Sequence, residues 1–317
     1  MKHPIQRLHH VTATVDKAQP DLDFCGRLLG LRLVKRTVNF DNRFVYHFYY
    51  GTESGAPGTI WTTFPYHGWG LAEGVQGAGQ VVATAFSVPE SALGRWRARL
   101  EAGGVTAEEG PPRFGAPLLT VRDPSGLALE LVADGRDARS PWSGGLDGGM
   151  AIRGLHSVTL CLRARAATVE LMTELLGFEV VSESAGRTRL AAGGDAPGHL
   201  VDLVEDPDAA AARNGLGTVH HVAFAIESAD AQLRLREELL RAGRDVTEVR
   251  DRTYFQSIYF REPGGVLFEV ATMAPGFTAD EPLDALGRAL KLPPWEEPHR
   301  AEIEARLPPL VAGSVAR

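Results

Sequence analysis

Cysteine is nearly absent: the 317 residues include only Cys25 and Cys161, far apart and without a CxxC. Two isolated thiols cannot build a disulfide framework, which points to a reducing cytoplasm and to two buried, inert side chains. Lysine is scarce as well, at positions 2, 17, 35 and 291 only, and the formal net charge is −7. An acidic chain is poorly matched to a polyanion, so nucleic acid is disfavoured as the main partner. The excess of arginine over lysine, alongside much Ala, Gly and Pro, reads as GC-rich coding. No apolar run approaches eighteen residues, which argues against a transmembrane helix. Met1-Lys2-His3-Pro4 leads straight into strand-like sequence without the apolar core of a signal peptide. There is no GxSxG nucleophile elbow and no GxxxxGK[ST] phosphate loop, and Gly77-Ala78-Gly79 lacks the third glycine of a dinucleotide fingerprint.

The apolar fraction is 44% and the charged fraction 23%, ordinary for a soluble globular chain with room for two domains. Glycine (35) and proline (20) imply many turns and short strands. The order of the residues is repetitive. Four segments open alike: Leu8-His9-His10-Val11-Thr12-Ala13-Thr14-Val15, Val81-Val82-Ala83-Thr84-Ala85-Phe86-Ser87-Val88, Leu155-His156-Ser157-Val158-Thr159-Leu160-Cys161-Leu162 and Val219-His220-His221-Val222-Ala223-Phe224-Ala225-Ile226. Helical periodicity follows, clearest over 91–102 (Leu93, Trp96, Leu100) and 229–242 (Leu233, Leu235, Leu239). Each unit closes on a glycine and an apolar strand that carries Thr62, Glu130, Asp202 or Glu269. Units one and three share Leu-Leu-Gly after the helix, where glycine suits a C-terminal cap. Units two and four share Ala-Gly and a D/E-P-x-G turn. The pattern predicts an α+β fold of four βαβββ modules, arranged as a duplicated two-module domain. Its parts are 1–140, 150–275 and a helical tail, 276–317, with the break in the Gly/Ser/Pro/Asp stretch 134–149.

The repeat acts as an internal control on chemistry. In the first-strand column the units are read as carrying His10, Val82, Ser157 and His221; in the last-strand column they carry Thr62, Glu130, Asp202 and Glu269. Units one and four together offer two imidazoles and a carboxylate, the facial set that holds Fe(II) or Mn(II) with positions open for other ligands. A single strand histidine is usually packing; two His-His doublets at homologous positions, with Glu269, point to a site. Glu130 shares its column but has no histidine in register and is read as structural. His47, in the aromatic strand Tyr46-His47-Phe48-Tyr49-Tyr50, is read as sheet packing. His67, His156, His199 and His299 are set aside, and the five tryptophans are read as core or loop packing.

These features resemble the vicinal oxygen chelate superfamily of glyoxalase-like proteins and extradiol dioxygenases, built from paired βαβββ modules that form barrels. Within it, the chain is most similar to ring-cleaving dioxygenases of para-hydroquinones. The similarity rests on Leu8-His9-His10-Val11-Thr12-Ala13, the stretch from Leu29-Gly30-Leu31 to Asn39-Phe40-Asp41, Tyr46-His47-Phe48-Tyr49-Tyr50-Gly51, and the tail Asp280-Glu281-Pro282 through Leu292-Pro293-Pro294. Carried across, the resemblance implies a metal between modules one and four, held by His10, His221 and Glu269. It also implies surrounding roles for His9, Thr12, His220, Arg252 and Tyr259. His9 and Thr12, with Arg252 and Tyr259, are expected to bind substrate. His220 is expected to take the substrate proton, and Arg252 and Tyr259 to orient the second oxygenated group and stabilise developing charge.

The partners implied are a small aromatic molecule and dioxygen, with Fe(II) or Mn(II) as cofactor and a monomer or homo-oligomer as the assembly. The tail segments 282–290 and 299–307 read as short helices that pack on the surface or clasp a barrel. A catechol-cleaving dioxygenase uses the same ligand types. A glyoxalase-like isomerase or thiol transferase shares the fold but wants a second carboxylate, where this chain has Thr62. A binding protein of the same fold has no need of the His/His/Glu set.

Overall fold

The computed structural model describes residues 4–311. Met1, Lys2 and His3, at the head of the N-terminal segment read for targeting, and the tail residues 312–317 lie outside the described residues. Each repeat folds as strand, helix, then three strands. Module one comprises β1 (Ile5–Val15), α1 (Ala18–Leu22) running into a wider turn at Asp23–Leu28, β2 (Arg32–Asn39), β3 (Asn42–Gly51) and β4 (Ile60–Pro65). Module two comprises β5 (Gln80–Val88), α2 (Leu93–Ala102), β6 (Ala107–Arg113), β7 (Ala116–Arg122) and β8 (Ala128–Ala133). Module three comprises β9 (Gly154–Leu162), α3 (Ala166–Glu174), β10 (Glu179–Ser184), β11 (Arg187–Ala191) and β12 (Leu200–Glu205). Module four comprises β13 (Thr218–Ile226), α4 (Ala229–Arg241), β14 (Arg250–Asp251), β15 (Gln256–Arg261) and β16 (Leu267–Thr272). The Leu-Leu-Gly signal acts as expected: Gly30 and Gly177 take φ of 70° and 77°. The next amides then bond back across the helix end, Leu31 N–H to the Cys25 carbonyl and Phe178 N–H to the Met172 carbonyl.

The modules form two curled sheets of eight strands, ordered β14-β15-β16-β13-β1-β4-β3-β2 and β10-β11-β12-β9-β5-β8-β7-β6. Module one therefore pairs with module four, and module two with module three. Each sheet takes one module from either half of the sequence, joined by antiparallel first strands, β1 with β13 and β5 with β9. Hydrogen-bonded first strands bury both faces of the seam, so β1, β5, β9 and β13 are almost wholly buried. One continuous apolar core runs through both sheets, with Trp61 and Trp96 among its largest members.

Two sequence readings need correction. Val82 does not occupy the ligand column: Ala83 lies opposite Thr159 just as His221 lies opposite Thr12, and the ladder passes over Val82 as it passes over His220. The offset is one residue: Ala83, not Val82, stands third in its segment, as His10, Ser157 and His221 do in theirs. Of the two short helices expected in the tail, that over 299–307 forms as α5 (Arg300–Arg306), whereas 282–290 holds only a single 3₁₀ turn, Leu283–Ala285. Gly287 takes φ of 76° within that stretch, a left-handed conformation that an α-helix cannot continue through. No helix among the described residues is long and apolar enough to cross a membrane.

Candidate active site

The first strands carry the site. In the β1–β13 ladder the register skips at His9, between Leu8 and His10, and again at His220, between His221 and Val219. A bulge of this kind turns consecutive side chains toward one side of the sheet instead of opposite sides. Each His-His doublet therefore forms a unit: His9 Nδ1 lies 2.8 Å from His10 Nδ1, and His220 Nδ1 lies 2.7 Å from His221 Nδ1. The other edges of His10 and His221 meet across the seam, Nε2 to Nε2, at 3.2 Å. Parallel pairing of β13 with β16 sets Glu269 beside Ala223 and delivers its carboxylate to the same point. Its Oε2 lies 3.3 Å from His10 Nε2 and 2.8 Å from His221 Nε2. All three residues are buried, and they form the metal-competent cluster found among the described residues.

The donor set fits a divalent cation. Glu269 Oε1 accepts from Ser257 Oγ at 2.5 Å, whereas Oε2 is buried with no hydrogen bond. A buried carboxylate oxygen without a donor, facing two imidazole nitrogens, has the chemistry of a ligand atom. Burial alone pushes the Glu269 carboxyl up, but the facing imidazoles of His10 and His221 outweigh it and hold the group well below the usual carboxylate range. Burial drives His9 and His220 down to about 3, helped by the neighbouring ligand imidazole in each case, and lowers His221 also. These rings are neutral, as metal ligands and their supports must be.

Beside the triad lies a cavity of about 150 Å³, and His220, Arg252 and Tyr259 are on its wall. Arg252 Nε donates to the Tyr259 hydroxyl at 3.0 Å, and its Nη2 lies 3.5 Å from Asp41. Burial opposes the Arg252 charge, yet Tyr259 and Asp41 raise its pKa above the usual arginine value. Burial and the Glu269 charge raise Tyr259, so its phenol keeps its proton. His9 and Thr12 do not line this cavity. The ring of His9 turns behind His10 and packs on Phe255, centroids 4.9 Å apart, and Thr12 is buried beneath, accepting from Thr62 Oγ1 at 2.9 Å. Their expected contact with substrate is replaced by support of the strands that carry the ligands.

His47 is the residue that sequence reading missed. It lines the cavity with Tyr49 and Phe64, and its Nε2 is 2.8 Å from Thr62 Oγ1. Alternation along β3 was the available signal: Tyr46, Phe48 and Tyr50 belong to the main core, which leaves His47 and Tyr49 for the opposite face. Asp41, Phe255 and Ser257 were missed too, because loop and cross-strand partners leave no trace in the repeat columns. In the second module pair the corresponding carboxylates are already occupied. Glu130 accepts from Arg113 through both oxygens, and Asp202 is bidentate with Arg189 at 2.7 and 2.8 Å.

The sequence profile of the Glyoxalase/Bleomycin resistance protein/Dioxygenase superfamily matches residues 7–131 and 154–270, both module-rich halves of the chain. The chain belongs to this superfamily. Among its relatives, a Bacillus subtilis (strain 168) protein named as a ring-cleaving dioxygenase, MhqE, is 42% identical over 304 residues, 96% of this chain and 98% of its own length. The chlorohydroquinone/hydroquinone 1,2-dioxygenase of Sphingobium indicum is 35% identical over 306 residues, 94% of this chain and 95% of its own. A crystal structure named as a dioxygenase, also from Bacillus subtilis strain 168, superposes with a TM-score of 0.92 at 40% identity and covers 98% of both chains. The paired-module superfamily fold is thus reproduced over the whole described length.

Proposed function

We propose that the chain is an Fe(II)-dependent ring-cleaving dioxygenase that inserts both atoms of O2 into a para-hydroquinone-type ring beside a hydroxyl-bearing carbon. Mn(II) is the other metal its ligand set suits. The observation that carries the reading is the buried, donorless Glu269 Oε2 facing two Nε2 atoms on the wall of a ring-sized cavity. The names of its full-length relatives narrow the chemistry to ring cleavage. His10, His221 and Glu269 would hold the metal. When bound, it supplies Lewis acidity toward a ring hydroxyl and a redox centre at which ring and dioxygen meet.

The contacts between the doublets support one assignment of the ring protons. With Nε2 of His10 and His221 committed as ligands, each ring keeps its proton on Nδ1 and donates it to Nδ1 of the preceding histidine. His220 then carries its own proton on Nε2. A neutral ring in that tautomer is a donor to the cavity and not the proton acceptor expected from the sequence. The Tyr259 phenol accepts from Arg252 and points its own proton away from that bond, so the cavity wall offers two donors and one guanidinium. Such an array orients a hydroquinone held through one oxygen and stabilises negative charge as it develops. Phe64, Tyr49 and Phe255 supply the apolar faces against which a ring packs.

Thr62 separates this reading from a glyoxalase-like isomerase. It stands in the column that would bring a second carboxylate, and its hydroxyl is engaged with His47 and Thr12. The test is metal analysis of anaerobically purified protein, followed by oxygen uptake and product identification with hydroquinones and catechol. One metal per chain and one O2 consumed per hydroquinone opened are expected. A kcat/KM for catechol tenfold above that of every hydroquinone, about 1.4 kcal/mol in the transition state, would leave only the broader extradiol class. No oxygen uptake with either substrate would overturn the dioxygenase reading itself.

A further inference from the structure

We infer that the C-terminal segment positions the substrate-facing turn of residues 252–255, acting through a buried clamp of Lys35, Asp280 and Tyr254. This rests on the cavity reading above. Lys35, on β2, is completely buried and lies 2.5 Å from Asp280, against Glu281, and 4.8 Å from the centroid of the Tyr254 ring. Tyr254 Oη donates to the second oxygen of Asp280 at 3.0 Å. Two carboxylates from the tail therefore neutralise one buried ammonium from module one and tether one hydroxyl from module four. A fully buried lysine persists only when its charge is met in this way. The clamp closes three segments that are remote in sequence.

The tethered turn is the one that shapes the cavity. Arg252 and Phe255 both face it, and Phe255 packs on the ligand His10 with centroids 5.3 Å apart. Between them Thr253 takes φ of 67°, a conformation that a β-branched residue adopts only when its surroundings impose it. The backbone is folded tightly on itself, with Tyr254 N–H to the Arg252 carbonyl at 2.7 Å and Arg252 N–H to the Phe255 carbonyl at 2.9 Å. The Tyr254 side chain is the anchor: it is buried, packs on Phe277 at 5.1 Å, and its carbonyl accepts from Gly276 N–H at 2.9 Å. The tail thus touches no reacting atom, but it fixes the strained turn that presents Arg252 and Phe255. These are positioning residues.

Tyr254→Phe deletes the hydroxyl tether and keeps the ring. With iron-loaded protein and a hydroquinone, kcat/KM is expected to fall on the order of tenfold, since displacement of a positioning group is costly well away from the chemistry. Metal affinity should stay within twofold. In an Arg252→Ala background the same change should cost markedly less, because its route of action is gone. Hydrogen exchange over 250–258, measured on the metal-free and the metal-loaded protein, should speed up by about tenfold. Asp280→Asn should reproduce both effects and serves if Tyr254→Phe does not fold. Unchanged exchange, or an equal kinetic loss in both backgrounds, overturns the inference, as does a lowered Tm with wild-type kinetics. If the wild-type enzyme opens no hydroquinone, the functional reading fails, and the exchange measurement still decides whether the clamp holds the turn.

Discussion

Ser257 controls the orientation of Glu269, and its hydroxyl is the perturbation with the clearest expected size. The side chain is fully buried on β15, and its Oγ donates to Oε1, which leaves Oε2 as the oxygen aimed at His10 and His221. Ser257→Ala removes a hydrogen bond to a charged acceptor, worth about 1.5–3 kcal/mol, and frees the carboxylate to rotate. Partners that orient metal ligands typically contribute 10- to 100-fold in affinity, about 1.4–2.7 kcal/mol, and the two ranges overlap. The expectation is therefore a metal Kd raised 10- to 100-fold, with a lesser change in Tm of the metal-free protein. Competition with a chromophoric chelator under anaerobic conditions reads the Kd directly, with Mn(II) binding followed by electron paramagnetic resonance as a second probe. A Kd within twofold of wild type in a folded Ser257→Ala protein would show that the hydroxyl does not govern the carboxylate, and the account of the ligand geometry would fail with it.

Alanine at His10, His221 or Glu269 should abolish metal retention and oxygen uptake. Glu130→Ala should leave metal per folded chain unchanged while costing about 3–5 kcal/mol of stability, because Arg113 is left buried without its partner; calorimetry and metal analysis check both arms. Tyr259→Phe and His220→Ala should retain the metal and lose on the order of a hundredfold in kcat, the usual cost of removing a preorganised donor; wild-type turnover in either variant removes it from the mechanism. Metal-free protein should lose stability as pH falls below about 6.5. His9 and His220, held near 3 in the fold by burial, take up protons in the unfolded chain first, at about 1.4 kcal/mol per pH unit each, while His47 and His221 are shifted the same way. Asp21 and Asp123, raised to about 6 and 7 by burial, oppose this but are fewer. A denaturant midpoint at pH 5.5 equal to or above that at pH 7 would contradict the sign.

The module pattern was legible because strand, helix and glycine positions recur at nearly constant spacing, and local physics repeats with them. The triad was legible for the same reason: only units one and four combine imidazoles with a carboxylate. The bulges were not legible. Whether two adjacent histidines share a side depends on the register of two strands about 210 residues apart, so the sequence does not show that His9 turns behind His10 while His220 lines the cavity. In the tail the spacing holds for 299–307 but not for 282–290, where Gly287 takes φ of 76° and ends the turn. Asp41 and Lys35 act through partners from other modules, so no local pattern marks them.

The two module pairs share one backbone plan, and the difference between them lies in what meets the carboxylate. In the second pair the columns hold Ala83 and Ser157 where the first pair has His221 and His10, so no imidazole faces Glu130, and Arg113 meets it instead. A guanidinium is a permanent cation with a fixed fork of donors, so Glu130 and Asp202 are satisfied within the chain, each already facing a cation that would repel a metal. Imidazole is the opposite choice. At neutral pH it is an uncharged lone-pair donor, and beside Glu269 it leaves one buried oxygen without a hydrogen bond. That deficit is unfavourable for the metal-free fold, and it keeps three ligand atoms converging where a cation would relieve it. The same four strands thus give a closed ion pair in one barrel and an open coordination site in the other, decided by two positions on each seam.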